Sequence, residues 1–252
     1  MRRAELTTAE RRRLAPLAAA LARARAPGPP RLELVAGAIA PGRRHGLLAG
    51  TFNPLTLAHV AVAAAGHRAG CERVVLALAP VSLDKERVER AHPVDRLDWV
   101  RTWARGQPWA VVAVSSRPLL VDMAESLGRL TGAEVALLVG TDKAVQLFDP
   151  RYYDDLESAL ERLARSASLL VAERAGSPPA ALPLPAGALA TPGWAPRRSS
   201  TEAREAARRG RPLDGLVPAA IVRAVERTHA YDEDATRYLA RARELDSLSG
   251  HG

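Results

Sequence analysis

The ten residues Gly50, Thr51, Phe52, Asn53, Pro54, Leu55, Thr56, Leu57, Ala58 and His59 restrict the fold more than any other part of this chain. They follow the apolar run 47–49 and precede the alanine-rich stretch 60–69, so they read as a junction between a short buried strand and a helix. In an open parallel sheet such a junction lies at the carboxyl edge of the strand. There Gly50 lets the backbone approach a ligand, and the new helix presents unpaired N–H groups. Those groups and the helix dipole suit an anion, a phosphate above all. Thr56 and His59, three residues apart, can turn a hydroxyl and an imidazole to the same side of the first helical turn. A lone glycine or histidine in such a place is more often a plain turn or a half-exposed side chain; it is the whole run in its strand-helix context that points to a site.

The rest of the chain repeats this alternation. The apolar run 74–79, ended by Pro80, reads as a strand covered on both faces. A helix is predicted over 93–105, with Leu97, Val100 and Trp103 or Ala104 on its buried side. Strands are expected at 109–114, 134–139, 168–172 and 186–190, and helices at 118–130 and 152–164. This pattern defines the α/β class: a Rossmann-like parallel sheet with helices on both faces. Ahead of it, Thr7 or Thr8 caps a helix that runs to about residue 25, and 31–36 looks like a further strand. The stretch 176–185 is too rich in Pro, Ala and Gly to be regular and reads as a surface connection. The expected organisation is a helical extension at 1–45, one α/β domain at 46–230, and a C-terminal helix and tail at 231–252.

Two further stretches carry chemistry. Gly140-Thr141-Asp142-Lys143 forms a second strand-turn-helix junction. Arg198-Ser199-Ser200-Thr201-Glu202-Ala203-Arg204 is followed by Gly210 and by Leu216-Val217-Pro218 at the start of a helix. Ser199 and Glu202 also fit a capping box, worth about 1 kcal/mol whether or not a ligand binds.

The first stretch resembles the signature of the HIGH-type nucleotidyltransferase superfamily, with Thr56 at the first histidine position and His59 at the second. The third stretch resembles that superfamily's I-S-S-T-x-x-R signature and the downstream L-V-P helix, with Arg198 in place of the usual apolar residue. Threonine at position 56 is familiar from nicotinamide mononucleotide adenylyltransferases of the eukaryotic type and from phosphopantetheine adenylyltransferases. The resemblance spans roughly 47–228. It implies that the first and fourth core strands are neighbours, so that Gly50 to His59 and Gly140 to Lys143 flank one crevice.

It also implies roles. Gly50, Thr51, Phe52 and Asn53 surround the phosphates of ATP, and His59 donates to them, with Thr56 beside it. Gly140 and Asp142 help hold the nucleotide, Lys85 contacts phosphate, and Ser199, Ser200 and Thr201 meet the β- and γ-phosphates at a helix N-terminus. Arg204 adds a charge-assisted fork. The implied reaction joins AMP from ATP, with Mg²⁺, to nicotinamide or nicotinate mononucleotide. The alternatives are phosphopantetheine adenylyl transfer, against which Asn53, Arg204 and the chain length count, and a catalytically weak nucleotide-binding module of the same fold. In the segment that helps build the pyridine pocket in such enzymes this chain reads Ser115-Ser116-Arg117-Pro118, without an aromatic residue. Trp109 and Trp194 are the rings that could come from elsewhere.

Composition narrows the setting. The formal charge of +8 comes from arginine, since Lys85 and Lys143 are the only lysines. That balance suits a polyphosphate substrate and gives little support to a nucleic-acid partner. Cys71 stands alone, so no internal disulfide can form and a reducing cytoplasm is expected. No apolar run approaches the roughly 20 residues of a membrane helix, and the first residues lack the apolar core of a secretory signal.

Overall fold

The computed structural model describes residues 6–79, 91–172, 184–195 and 198–249. Helix α1 (Thr8–Arg25) starts at a complete capping box, in which Thr7 accepts the N–H of Glu10 and Glu10 reaches back to the Thr7 N–H. Strands β1 (Leu32–Ala36) and β2 (His45–Gly50) follow, and the motif turn leads from β2 into α2 (Leu57–Arg68). The alternation then runs β3 (Arg73–Leu78), α3 (Pro93–Ala104), β4 (Ala110–Ser115), α4 (Leu120–Thr131), β5 (Val135–Gly140) and α5 (Thr141–Gln146). It continues with α6 (Leu156–Ser166), β6 (Ser168–Ala172), β7 (Ala186–Leu189), α7 (Ser200–Arg208), α8 (Ala219–Thr228) and α9 (Thr236–Leu248).

The helix expected over 152–164 is split. A single 3₁₀ turn spans Pro150–Tyr152, and α6 begins only at Leu156 because Asp155 accepts the N–H of Ser158 as a cap. Most of the connection expected over 176–185 lies outside the described residues.

The seven strands among the described residues lie in the order β1-β4-β3-β2-β5-β6-β7. All are parallel except β1, which runs antiparallel to β4 at one edge. The chain leaves β2 for β3 and β4 on one side, then crosses back to place β5 on the other. Leu47 of β2 is therefore paired with both Val75 and Leu137. This is the topological switch point that the first-and-fourth-strand expectation requires.

Alternate residues of each strand feed two separate cores, as the two-residue period of a strand dictates. Leu48, Leu76 and Leu138 pack under α1, α2, α3 and the C-terminal helices, whereas Leu47, Val75 and Leu137 pack under α4, α5 and α6. Helix α2 comes close to β5 at Gly66, where an added Cβ would run into the Leu138 side chain.

Helices α1 and α9 share the α3 side of the molecule, and one buried charge ties all three. Asp95 of α3 is fully buried and accepts from Arg241 of α9 through Nε and Nη2 and from the Tyr238 hydroxyl at 2.9 Å. Arg241 also reaches Glu10 of α1 at 2.9 Å. Such a charge is tolerated because its lone pairs are all answered. Among the described residues no helix is long and apolar enough to cross a membrane.

Candidate active site

The motif turn at the end of β2 is held from outside by its carbonyls. Arg96 of α3, itself fully buried, donates to the Thr51 oxygen at 2.6 Å. Arg204 of α7 donates to the Asn53 oxygen at 2.8 Å, and the Ser200 hydroxyl to the Pro54 oxygen at 2.8 Å. The Asn53 amide oxygen accepts from the buried Tyr231 hydroxyl at 2.7 Å and from the Ala91 N–H at 3.2 Å. Between these anchors Phe52 adopts a positive φ of 43°. A bulky residue holds that conformation only where its surroundings over-determine it, at a cost on the order of 1–3 kcal/mol. Here the ring is buried and meets the His59 ring edge-on, 5.3 Å between centroids.

Thr56 caps α2, and its bonds fix the state of His59. Nδ1 of His59 lies 3.0 Å from the Thr56 N–H and 2.8 Å from the Thr56 hydroxyl. A backbone N–H can only donate, so Nδ1 is the acceptor and the ring proton sits on Nε2. Burial pushes the imidazole down from its ordinary value of 6.5 to about 4. At neutral pH His59 is therefore an uncharged ring that offers one N–H.

His59 lines a cavity of about 340 Å3 at the carboxyl ends of β2 and β5. Three helix N-termini open into it: α2 through Thr56 and Ala58, α5 through Gly140 and Thr141, and α7 through Ser199 and Ser200. Lys143 and Arg198 add positive charge to its wall. No carboxylate is among the described residues that line it. N–H ends, hydroxyls and cations without an opposing acid make a site for a polyanion.

Not all of the sequence-selected residues reach that cavity. Gly50, Thr56, His59, Gly140, Ser199 and Ser200 line it. Phe52 and Asn53 are buried beneath it, and Thr51 is tied through its carbonyl to Arg96. Thr56 is fully buried, and its hydroxyl is engaged by the helix cap and by His59. Thr201 is exposed and accepts from Arg204 at 3.2 Å. Arg204 is not among the lining residues; it meets the motif turn from behind. Lys85 lies outside the described residues, and only the backbone of Asp142 is described. Ser199 accepts the Glu202 N–H at 3.0 Å, so the expected cap is formed.

Sequence reasoning did not single out Lys143 or Arg198, which both line the cavity. The available signal was their position, Arg198 directly ahead of the Ser199 N-cap and Lys143 in the first turn of α5. It also missed a smaller recess of about 20 Å3 beside the main cavity, lined by Pro118, Leu119, Leu120, Tyr152 and Tyr153 and sharing Lys143 with it. Tyr152 and Tyr153 bring two aromatic rings to this recess from the turn before α6.

A doubly wound sheet with a polyanion cavity at its switch point defines a nucleotide-binding α/β protein. The chain belongs to the cytidylyltransferase-like family, whose model matches residues 47–206, and so to the HIGH-type nucleotidyltransferases. It is an enzyme of nucleotidyl transfer. Among solved structures it is similar to nicotinic acid mononucleotide adenylyltransferase of Plasmodium falciparum in complex with NaAD, at a TM-score of 0.57 and 13% identity over 75% of this chain and 98% of that one. The same enzyme in complex with APC gives a TM-score of 0.56 at 12% identity, over 75% and 98%. At such identities the likeness carries the fold. No curated protein matches the sequence.

Proposed function

We propose that this chain transfers AMP from ATP to a pyridine mononucleotide, nicotinate mononucleotide in preference to the nicotinamide form, releasing pyrophosphate. The observation that supports this reading best is the convergence of three helix N-termini and the neutral His59 on one cavity free of lining carboxylates among the described residues. A phosphate oxygen of the acceptor attacks the α-phosphorus in line, and the bond from that phosphorus to the bridging oxygen of the β-phosphate breaks. The acceptor is already an anion, so no general base is needed; the protein positions and stabilises charge. His59 donates its Nε2 proton as a hydrogen bond to a phosphate oxygen, and the ends of α2, α5 and α7 face the rest of the chain of phosphates.

Mg²⁺ belongs to the substrate in this reading. Among the described residues no group of three or more His, Cys, Asp or Glu could hold a metal. The donors that line the cavity fit phosphate, so the ion is carried on the phosphate oxygens of ATP, as is common for Mg²⁺. The acceptor ring is assigned to the recess of Tyr152 and Tyr153. Its volume of about 20 Å3 admits a water and not a ring, so binding requires the Pro150–Tyr152 turn to shift. Lys143 stands between recess and cavity, where an ammonium favours a ring carboxylate over a carboxamide.

The test is incubation of the purified chain with ATP, Mg²⁺ and each mononucleotide, following pyrophosphate and the dinucleotide. Product with both, and more with nicotinate, is expected. Silence with every acceptor overturns the reaction, and tight ATP binding without product identifies a binding module instead.

A further inference from the structure

Everything ahead of residue 47 lies outside the family match, yet this part of the chain is tied to one wall of the small recess. Strand β1 runs antiparallel to β4, so its amino end meets the carboxyl end of β4, with Leu32 opposite Ser115. A parallel strand would bring its other end there. Residues 28–31, which link α1 to β1, therefore lie beside the segment that leaves β4 at the edge of the sheet where ligands bind. Two bonds make a clasp: the Arg31 N–H donates to the Ser116 hydroxyl at 2.9 Å, and the Ser116 N–H to the Arg31 carbonyl at 3.1 Å. The Arg117 guanidinium donates to the Gly28 carbonyl at 3.2 Å, and Arg129 of α4 to the Pro30 carbonyl at 3.0 Å. Within the segment the Ser115 hydroxyl donates to the Arg117 carbonyl at 2.7 Å.

The clasp is anchored in turn to α1. The Arg31 side chain bends back and donates to the Arg23 carbonyl and, at 2.8 Å, to the Ala26 carbonyl, acceptors of the kind that the end of a helix leaves open. One residue thus joins the last turn of α1 to Ser116, and two residues further on Pro118, Leu119 and Leu120 line the recess together with Tyr152 and Tyr153. From this path we propose that Arg31 is a positioning residue for the acceptor, holding through Ser116 the wall against which a pyridine mononucleotide rests. The assignment rests on the recess being the acceptor site proposed above. There the Pro150–Tyr152 turn has to shift to admit a ring, so the wall at 118–120 is the side that stays fixed. A wall ordered before binding lowers the entropy lost when the ligand arrives.

The test separates the acceptor from ATP. Initial rates of the full chain are measured for the wild type, Ser116→Ala, Ser116→Thr, Arg31→Met and Arg31→Lys. Nicotinate mononucleotide is varied at saturating ATP, and then ATP at saturating nicotinate mononucleotide. Ser116→Ala should raise the KM for the mononucleotide by about threefold to tenfold, as loss of one hydrogen bond does, and leave that for ATP within about twofold. Ser116→Thr keeps the hydroxyl and should match the wild type. Arg31→Met should act as Ser116→Ala does, and Arg31→Lys, whose ammonium still reaches one carbonyl of α1, should recover part of the effect.

An unchanged KM for the mononucleotide in Ser116→Ala and Arg31→Met, whatever their melting temperatures do, would reduce the clasp to packing on the flank of the sheet and overturn the inference. A parallel rise in both KM values overturns it as well. Should Arg31→Met fail to fold, Ser116→Ala decides alone, because it removes a single oxygen from a partly exposed segment. In each of these cases an active wild type leaves the proposed reaction standing. A wild type silent with every mononucleotide overturns the reaction and the inference together.

Discussion

The turns that follow β2 and β5 have the same local grammar, parallel strand, glycine, helix, yet they are built in opposite ways. The first is clamped. Arg96, Ser200, Arg204 and Tyr231 each hold a backbone or amide oxygen of residues 51–54, and Thr56 and His59 cap α2 reciprocally. An added Cβ at Gly50 would meet the Phe52 ring at 3.1 Å. The second is open. Gly140 caps α5 without any side-chain bond, α5 is only six residues long, and an added Cβ at Gly140 would meet nothing within 4 Å. Under the proposed reaction the difference separates two tasks, since a donor that must meet developing charge needs a fixed frame, whereas a wall that admits different parts of a substrate needs room.

The largest effect should come from the clamped turn. His59→Ala should lower kcat by about 10²-fold with the fold intact, as loss of a donor to a charged transition state does. His59→Gln should retain more activity, because a neutral N–H donor is what the structure holds there. Equal loss in both variants would show that a cation is needed and break the account of His59.

Next in size, Gly50→Ala should destabilise the chain by about 1–3 kcal/mol in urea unfolding, since the added Cβ presses on the buried Phe52 ring. Gly140→Ala should stay within about 0.5 kcal/mol of the wild type. Equal costs would erase the contrast between the two turns. Tyr231→Phe should cost about 1 kcal/mol, because Asn53 keeps its bond from Ala91.

The pH profile tests the same ring from another side. The folded His59 takes up a proton only near 4 and the unfolded one near 6.5, so its contribution to stability is complete above 6.5 and is lost as pH falls from there toward 4. The depressed His92 acts in the same direction, through burial against its pairing with Asp246. Melting temperature should therefore fall less steeply across that window in His59→Gln than in the wild type, and parallel curves would place the His59 ring in solvent.

Much of this was legible in the sequence. The capping of α1 by Thr7, the strand runs and the glycine-led junctions follow from local rules, so the α/β class could be expected before any coordinates, while the pairing of the first and fourth core strands was implied by the family resemblance. The site was half legible. His59, Gly140, Ser199 and Ser200 were found where motif and cavity coincide. Arg204 donates to the Asn53 carbonyl, a partner 151 residues away that no spacing rule reports. Arg96 and Tyr231 carry no motif at all. The direction of β1 and the splitting of the helix before β6 were likewise set by a sheet edge and a single capping aspartate.

The sequence by itself determined the alternation of strands and helices, the caps and the residues able to meet a phosphate, since each depends on neighbours within a few positions. Only the tertiary structure decided which of those residues share one cavity and which turn their polar groups to the frame. Sheet order brings together segments that the chain keeps apart, and a buried donor bonds whichever carbonyl the fold delivers to it.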